Sequence, residues 1–299
     1  MIQRHPVIPL FALFLASACS QSIIVGVDPG DGSATGTYTS QTTGPRAGMV
    51  AVQSPSGVSY YIDSTEVSQA AYDEFLQSNP QPDPSSPYCA SKTSFAPGDL
   101  EISYPNAAAC GPPNTPYDPV ATGNLPVVCV DWCDAEAYCR WAGKRLCGRV
   151  GGGPISSQSD DITDPEASQW FNACSNGGAT PFPYGSAFAA GACNDLAPAA
   201  PVGQTPGCRG QAPPLDGVFD MSGNVAEWED NCAGGFPVSG GVGCIVRGGS
   251  YQPTDIPGGP AGNASRYICG TVLDGMHFGV PVGEPRSGSP TLGFRCCGD

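Results

Sequence analysis

The chain has 299 residues, and its 12 Lys and Arg against 27 Asp and Glu give a formal net charge of -15. A surface this acidic excludes nucleic acid and anionic lipid headgroups as charge-driven partners, while it tolerates divalent cations. Gly 41 and Pro 32 make up nearly a quarter of the chain, yet 40% hydrophobic content and 15 cysteines exclude a disordered polymer and describe a folded, loop-rich domain with little regular structure.

Residues 1–18 carry a positive start at Arg4, an apolar stretch from Val7 and a small-residue exit, Ala16-Ser17-Ala18. This is the pattern of an export signal, too short and wrongly flanked for a spanning helix. Cys19 directly after the cut resembles the bacterial lipoprotein box, which implies a lipid on that thiol and attachment to a membrane through it. The other reading is ordinary cleavage that leaves Cys19 spare and the protein secreted. Setting Cys19 aside leaves 14 cysteines, an even set that can close seven disulfides in an oxidising compartment. Residues 19–46 are rich in Gly, Ser, Thr and Asp and read as a flexible tether, with one folded domain expected over 47–299.

Apolar runs at 49–52 and 58–62, separated by Pro55-Ser56-Gly57, predict a hairpin. Ser68 is placed to cap a helix through Gln77, on which Ala71, Tyr72, Phe75 and Leu76 fall at helical spacing. Asp131 caps a second helix that stops before Gly143, with Ala135, Tyr138, Cys139 and Ala142 on one buried face. Beyond Gly148 the chain is punctuated by Gly and Pro, with strand-like pieces at 245–247 and 292–296.

Five segments stand in a distinctive order: YYIDSTEVSQAAYDEFL from Tyr60, LPVVCVDWCDAEAYCRWAGKRL from Leu125, DGVFDMSGNVAEWEDN from Asp216, VRGGSY from Val246 and GFRCC from Gly293. Together they resemble the formylglycine-generating enzyme, or sulfatase-modifying factor, domain family. The resemblance implies a single α+β domain related to the C-type lectin fold, low in regular secondary structure and holding calcium. Members with the founding activity oxidise a sulfatase cysteine to formylglycine with O2 and a copper ion between two thiolates, the soft ligands that Cu(I) prefers. The family positions of those thiols are Pro253 and Ala264 here, and no cysteine lies between Cys244 and Cys269. Copper and the oxidase mechanism are therefore not expected.

The resemblance also implies disulfides from Cys139 to Cys296 and from Cys174 to Cys269. Closeness in sequence suggests Cys89 with Cys110, Cys193 with Cys208 and Cys232 with Cys244, which leaves Cys129, Cys133, Cys147 and Cys297 to pair among themselves. In the segment 220–227, two carboxylates seven apart with small residues between can aim oxygens at one point, as Ca2+ requires; a turn with two solvated acids is the bland reading. By resemblance, Asp220, Gly223, Val225 and Glu227 hold calcium, the middle two through main-chain oxygen, and Asn194 and Asp195 match the start of a second, weaker calcium site.

After the export segment the only histidine is His277, which argues against His-based metal clusters and two-histidine hydrolases. Lys144, Arg145 and Arg247, which resemble family scaffold positions, are expected in buried ion pairs, and Trp132, Trp141, Trp170 and Trp228 in the core. The function these features favour is a calcium-stabilised binding or structural module, exported to the periplasm or cell surface, whose 251–269 loop meets an extracellular peptide or glycan. The alternative is an oxidase, formylglycine-generating or other, that uses Cys296 with Cys297 or Cys129 with Cys133.

Overall fold

The computed structural model describes residues 46–86, 88–100, 110, 116–155, 160–196, 198–232, 244–252, 264–272 and 288–299, and the statements below concern these. The export segment, Cys19, the tether before residue 46, Pro253 and His277 lie outside them.

The expected hairpin is present: β1 (Met49–Gln53) pairs antiparallel with β2 (Ser59–Asp63), Val50 opposite Ile62. Alternation places Val52, Tyr60 and Ile62 in the core. Helix α1 (Gln69–Gln77) begins at Ser68, whose hydroxyl accepts the Ala71 N–H, and buries Tyr72 and Phe75. Helix α2 (Trp132–Trp141) opens on a reciprocal capping box: Asp131 accepts the Asp134 N–H while Asp134 accepts the Asp131 N–H, both at 2.8 Å. Such a cap contributes about 1 kcal/mol. The two helices meet through stacked Tyr72 and Tyr138 rings, 5.7 Å apart, with Phe294 edge-on to both. Trp132, Trp170 and Trp228 are buried as expected, but Trp141 is 44% exposed. It occupies the last position of α2 and only leans its ring on Phe75 and Tyr138.

The remaining elements are short: β3 (Arg145–Leu146), α3 (Gln169–Cys174), β4 (Ala226–Trp228), β5 (Val246–Arg247), β6 (Leu292–Phe294) and β7 (Cys296–Gly298). Sheet order is β1-β2-β7-β3 in one sheet and β5-β4-β6 in the other, with β4 and β6 parallel. The strand expected at 292–296 is thus two strands that serve different sheets, with Arg295 at the joint. Helix α3 was not anticipated. Ser168 caps it by accepting the Phe171 N–H, and it carries Trp170 into the space beside Tyr60, whose hydroxyl donates to the Gln169 carbonyl at 2.8 Å.

All fourteen cysteines after Cys19 are disulfide-bonded. Cys139–Cys296 and Cys174–Cys269 are the pairs that the resemblance implied, and Cys193–Cys208 and Cys232–Cys244 are the local ones expected from spacing. The expected Cys89–Cys110 bridge is not formed. Cys89 bonds Cys133 and Cys110 bonds Cys129, so of the four cysteines expected to pair among themselves only Cys147 and Cys297 do. The reason is spatial: residues 127–130 run buried through the centre, and the segments holding Cys89 and Cys110 each dock on that run or on the helix start that follows it.

Buried cations complete the interior. Arg247 pairs with Glu229 at 2.9 Å, both fully buried, as expected of it. Lys144 reaches Asp63 at 2.6 Å, whereas Arg145 pairs with Asp299 near the surface. Lys92, which sequence reading did not single out, lies buried between Asp131 and Asp134.

Cys139–Cys296 and Cys147–Cys297 join neighbouring points of the same two segments, over separations of 157 and 150 residues. With one intact, the other closes an extra loop of only about ten residues, so removing either alone should cost about 2–3 kcal/mol in the chain-entropy account. Removing both opens the long loop as well. The paired Cys139→Ala/Cys296→Ala and Cys147→Ala/Cys297→Ala changes should therefore destabilise by more when combined than the sum of the two separate losses. Denaturant unfolding measures this, and simple additivity would refute the account.

Candidate functional site

The segment 220–227 enters β4 as a tight coil, with left-handed backbone at Asp220 (φ 58°), Gly223 (φ 77°) and Asn224 (φ 55°). Glycine is required at 223 on two grounds: the backbone sign, and a Cβ there would fall 2.5 Å from the Asn194 carbonyl oxygen. Main-chain bonds pin the coil on several sides. The Asp220 N–H donates to Cys208 O, the Gly223 N–H to Gly248 O and the Asn224 N–H to Asn194 O, at 2.8–2.9 Å. The Asn224 amide is fully used, accepting from Asn194 Nδ2 and the Ala200 N–H and donating to Glu66 and the Ala200 carbonyl.

Three carboxylates, Glu66, Asp220 and Glu227, are buried around this coil, with Arg295 as the guanidinium among them. Arg295 holds Glu227 bidentately, Nη2 to Oε1 at 2.6 Å and Nε to Oε2 at 2.8 Å, and Trp170 Nε1 donates to the same Oε2 at 2.8 Å. Asp220 Oδ2 accepts the Gly203 N–H at 2.7 Å, but its Oδ1 is buried with no hydrogen-bond partner. Three carboxylates face one guanidinium here. Burial pushes the Asp220 carboxyl up to about 6. Burial, then the nearby charges of Asp220 and Glu227, holds Glu66 well above the usual carboxylate range. Arg295 is raised in turn, because the carboxylates outweigh the burial that opposes its charge.

A hard cation fits that imbalance and the orphaned Asp220 oxygen. Among the described residues no group of three or more Asp, Glu, His or Cys side chains is arranged to hold a metal. A cation on this coil would therefore draw part of its shell from main-chain oxygen. Asn194 packs directly on Gly223 and Asn224, and the neighbouring Asp195 accepts the Tyr267 hydroxyl on its carbonyl at 3.2 Å.

Of the two positions expected for the family thiols, Ala264 alone is described. Ala264 opens a single 3-10 turn through Tyr267, and Pro253 is outside the described residues. The ends of the intervening loop are clasped together: both Arg266 Nη atoms donate to the Gln252 carbonyl, at 2.8 and 3.0 Å. The same ends are tied to the acidic coil, since the Tyr251 N–H donates to Asn224 O and Ser222 Oγ donates to Tyr267 O. The other cysteines considered for oxidase chemistry, Cys296, Cys297, Cys129 and Cys133, are each bonded to a separate partner and buried.

Sequence reading missed Glu66, Arg295 and Asn224 as parts of this site. One signal was available: an arginine between Phe294 and two cysteines, in a strand otherwise apolar, needs a buried carboxylate to neutralise it.

The chain is similar to several proteins of this architecture. It is 30% identical over 183 residues to inactive C-alpha-formylglycine-generating enzyme 2 of Mus musculus, a stretch covering 58% of this chain and 48% of that one. The Bos taurus protein of the same name gives 30% over 183 residues, 58% of this chain and 50% of its own. The chain thus spans about half the length of the curated relatives it matches. Similar solved structures include PvdO from Pseudomonas aeruginosa (19% identity, 81% of this chain and 80% of that one, TM-score 0.46) and CarF (17%, 80% and 86%, TM-score 0.44). The model of the sulfatase-modifying factor enzyme 1-like domain matches residues 25–299, which takes in the hairpin, both capped helices, the acidic coil and the final strands, and the chain belongs to that family.

Proposed function

We propose that this is an exported, lipid-anchored module that binds at the cell surface and carries out no oxidation, with calcium stabilising the 220–227 coil and the 251–269 loop facing a peptide or glycan. The observation that carries the reading is the state of the cysteines. The family thiol positions are Pro253 and Ala264, and all fourteen cysteines after Cys19 are committed to disulfides. A copper oxidase of this type needs two thiolates that face each other and can be reduced. The name "inactive" borne by the two mammalian relatives supports the same reading. Seven disulfides suit an oxidising compartment outside the cytoplasm, and among the described residues no helix is long and apolar enough to cross a membrane. Lipid on Cys19 would then supply the attachment.

Calcium would be held by Asp220 through Oδ1, by main-chain oxygens of Gly223 and Val225, and by the Glu227 carboxylate. Glu227 Oε1 accepts one bond, from Arg295 Nη2, and keeps a lone-pair direction for the ion, whereas Oε2 already accepts from both Arg295 Nε and Trp170 Nε1. The ion would offset the surplus negative charge of three buried carboxylates against one guanidinium. It would also stiffen the binding loop, whose ends hang on Asn224 and Ser222.

Two measurements test the non-catalytic part. Unfolding in an alkylating agent without reductant should leave the fourteen cysteines unlabelled. Incubation with Cu(I), O2, reductant and a peptide bearing a sulfatase cysteine should return the peptide unchanged by mass; formylglycine in that peptide would end the proposal. For calcium, extracellular sites bind at about 0.1–1 mM, so 1 mM Ca2+ should stabilise by about 0.4–1.4 kcal/mol over chelated protein. Asp220→Asn should remove that increment. Equal melting temperatures of the wild type in Ca2+ and in chelator would count against the site. For the loop, exchanging 253–263 for a Gly-Ser segment of equal length should abolish binding of any peptide or glycan found by array screening while leaving the melting temperature within a few degrees. A ligand that binds both forms equally would remove the loop from the account.

A further inference from the structure

Lys92 is buried in an unusual setting. Its Nζ lies 2.7 Å from Asp131 Oδ2 and 2.8 Å from Asp134 Oδ1, and the three side chains are 1%, 0% and 0% exposed. The hydrogen bond of the ammonium goes to Asp131. Its approach to Asp134 Oδ1 is as close. The other oxygens of the two carboxylates are held by the capping-box N–H groups, which fixes both carboxyl planes at the start of α2.

The surroundings exclude water and prevent escape. The Phe95 ring centroid is 5.7 Å from Nζ, and Tyr72 closes the same region by donating from its hydroxyl to the Phe95 carbonyl. The Cys89–Cys133 disulfide joins a point three residues before Lys92 to a point between the two aspartates. Amine and carboxyl groups are thereby held at contact. In well-oriented intramolecular reactions such placement corresponds to effective molarities of about 100,000 M or more.

Burial, and after it the Asp131 charge, holds the Asp134 carboxyl well above the usual range. Burial pulls Lys92 down, but the two carboxylates outweigh it and keep the ammonium form. The reactive form of the cluster is one ammonium, one carboxylate and one carboxylic acid, with no net charge.

We propose that Lys92 and Asp134 condense into an intramolecular isopeptide bond, with Asp131 as the proton carrier. Asp131 takes a proton from the ammonium, and the freed amine attacks Cγ of Asp134. The C–N bond forms and the Cγ–OH bond breaks. The hydroxyl leaves as water with a proton handed on by Asp131, which also collects the surplus proton from nitrogen and ends as the acid. Ammonium, acid and carboxylate become amide, water and acid, so charge balances, nothing is oxidised or reduced and no co-reactant is needed. The product is a cross-link parallel to Cys89–Cys133 that reductants do not break, and it replaces a buried ion cluster by a neutral amide.

The test is the mass of the full exported chain after complete reduction and denaturation. It should fall short of the mass expected from its determined N-terminus by one water, about 18 Da, a deficit that disulfide reduction cannot explain. Trypsin should fail to cut after Lys92, and tandem mass spectrometry should find a branched peptide joining Lys92 to Asp134. Asp134→Ala should restore the full mass and tryptic cleavage at Lys92, and Asp131→Ala should slow or stop bond formation. Should either variant fail to fold, the wild-type peptide map still decides. Clean cleavage after Lys92 with an unmodified Asp134 peptide would overturn the proposal, and a link to Asp131 would overturn the assignment of roles.

Discussion

The constraint on which the rest of the structure depends is the burial of Arg295 against Glu227. One continuous segment supplies β6 to one sheet and β7 to the other, and Arg295 is the residue between them. Its guanidinium faces Glu227 at the centre of the second sheet while donating to the carbonyls of Asp63, at the end of β2, and Phe219, just before the acidic coil. A planar fork of donors can hold one carboxylate bidentately and still reach two carbonyls, which a lysine at the same point could not do. The hairpin, the coil and the final strands thus meet on one side chain. Removing either member of the pair would leave the other buried and uncompensated, a cost of about 3–5 kcal/mol.

The disulfides answer a different need. Strands of two to five residues and helices of six to ten supply few cooperative backbone bonds, so the chain between them must be held by other means. Three bridges span 95 residues or more, and two of these converge on Cys296 and Cys297, directly after Arg295. Neighbouring residues in β7 point to opposite faces, so one cysteine reaches α2 and the other reaches Cys147 on the far side of β3. The C-terminal strand is in effect riveted on both faces, beside the ion pair that joins the sheets.

The parts of this arrangement that could be read from sequence are those whose signal is local. The hairpin, α1 and α2 each carry their own turn or cap and a matching period, and they lie where Pro55 and Gly57, Ser68 and Asp131 place them. Strands β3 and β4 are two or three residues long, too short for alternation to register, and α3 spans less than two turns, whereas β5 falls within the piece expected at 245–247. Cys89 and Cys110 misled because closeness in sequence is a poor guide where two loops dock on a third segment. The acidic coil was found by its motif, yet its charge partners were not: Arg295 lies 68 residues beyond Glu227, and Glu66 lies 158 residues before Asn224. Only the fold brings those distances to contact.

The same arrangement fixes the two described ends of the 251–269 stretch. Those ends are anchored by Tyr251 on Asn224, Gln252 on Arg266, Ser222 on Tyr267 and Cys269 on Cys174. Gly223 and Gly249 make the close packing around these ends possible. Both take left-handed backbone, and a Cβ would meet the Asn194 carbonyl at 2.5 Å in one case and the Tyr267 ring at 3.0 Å in the other. Rigid anchors of this kind are what a fold needs in order to present a surface segment from a fixed scaffold.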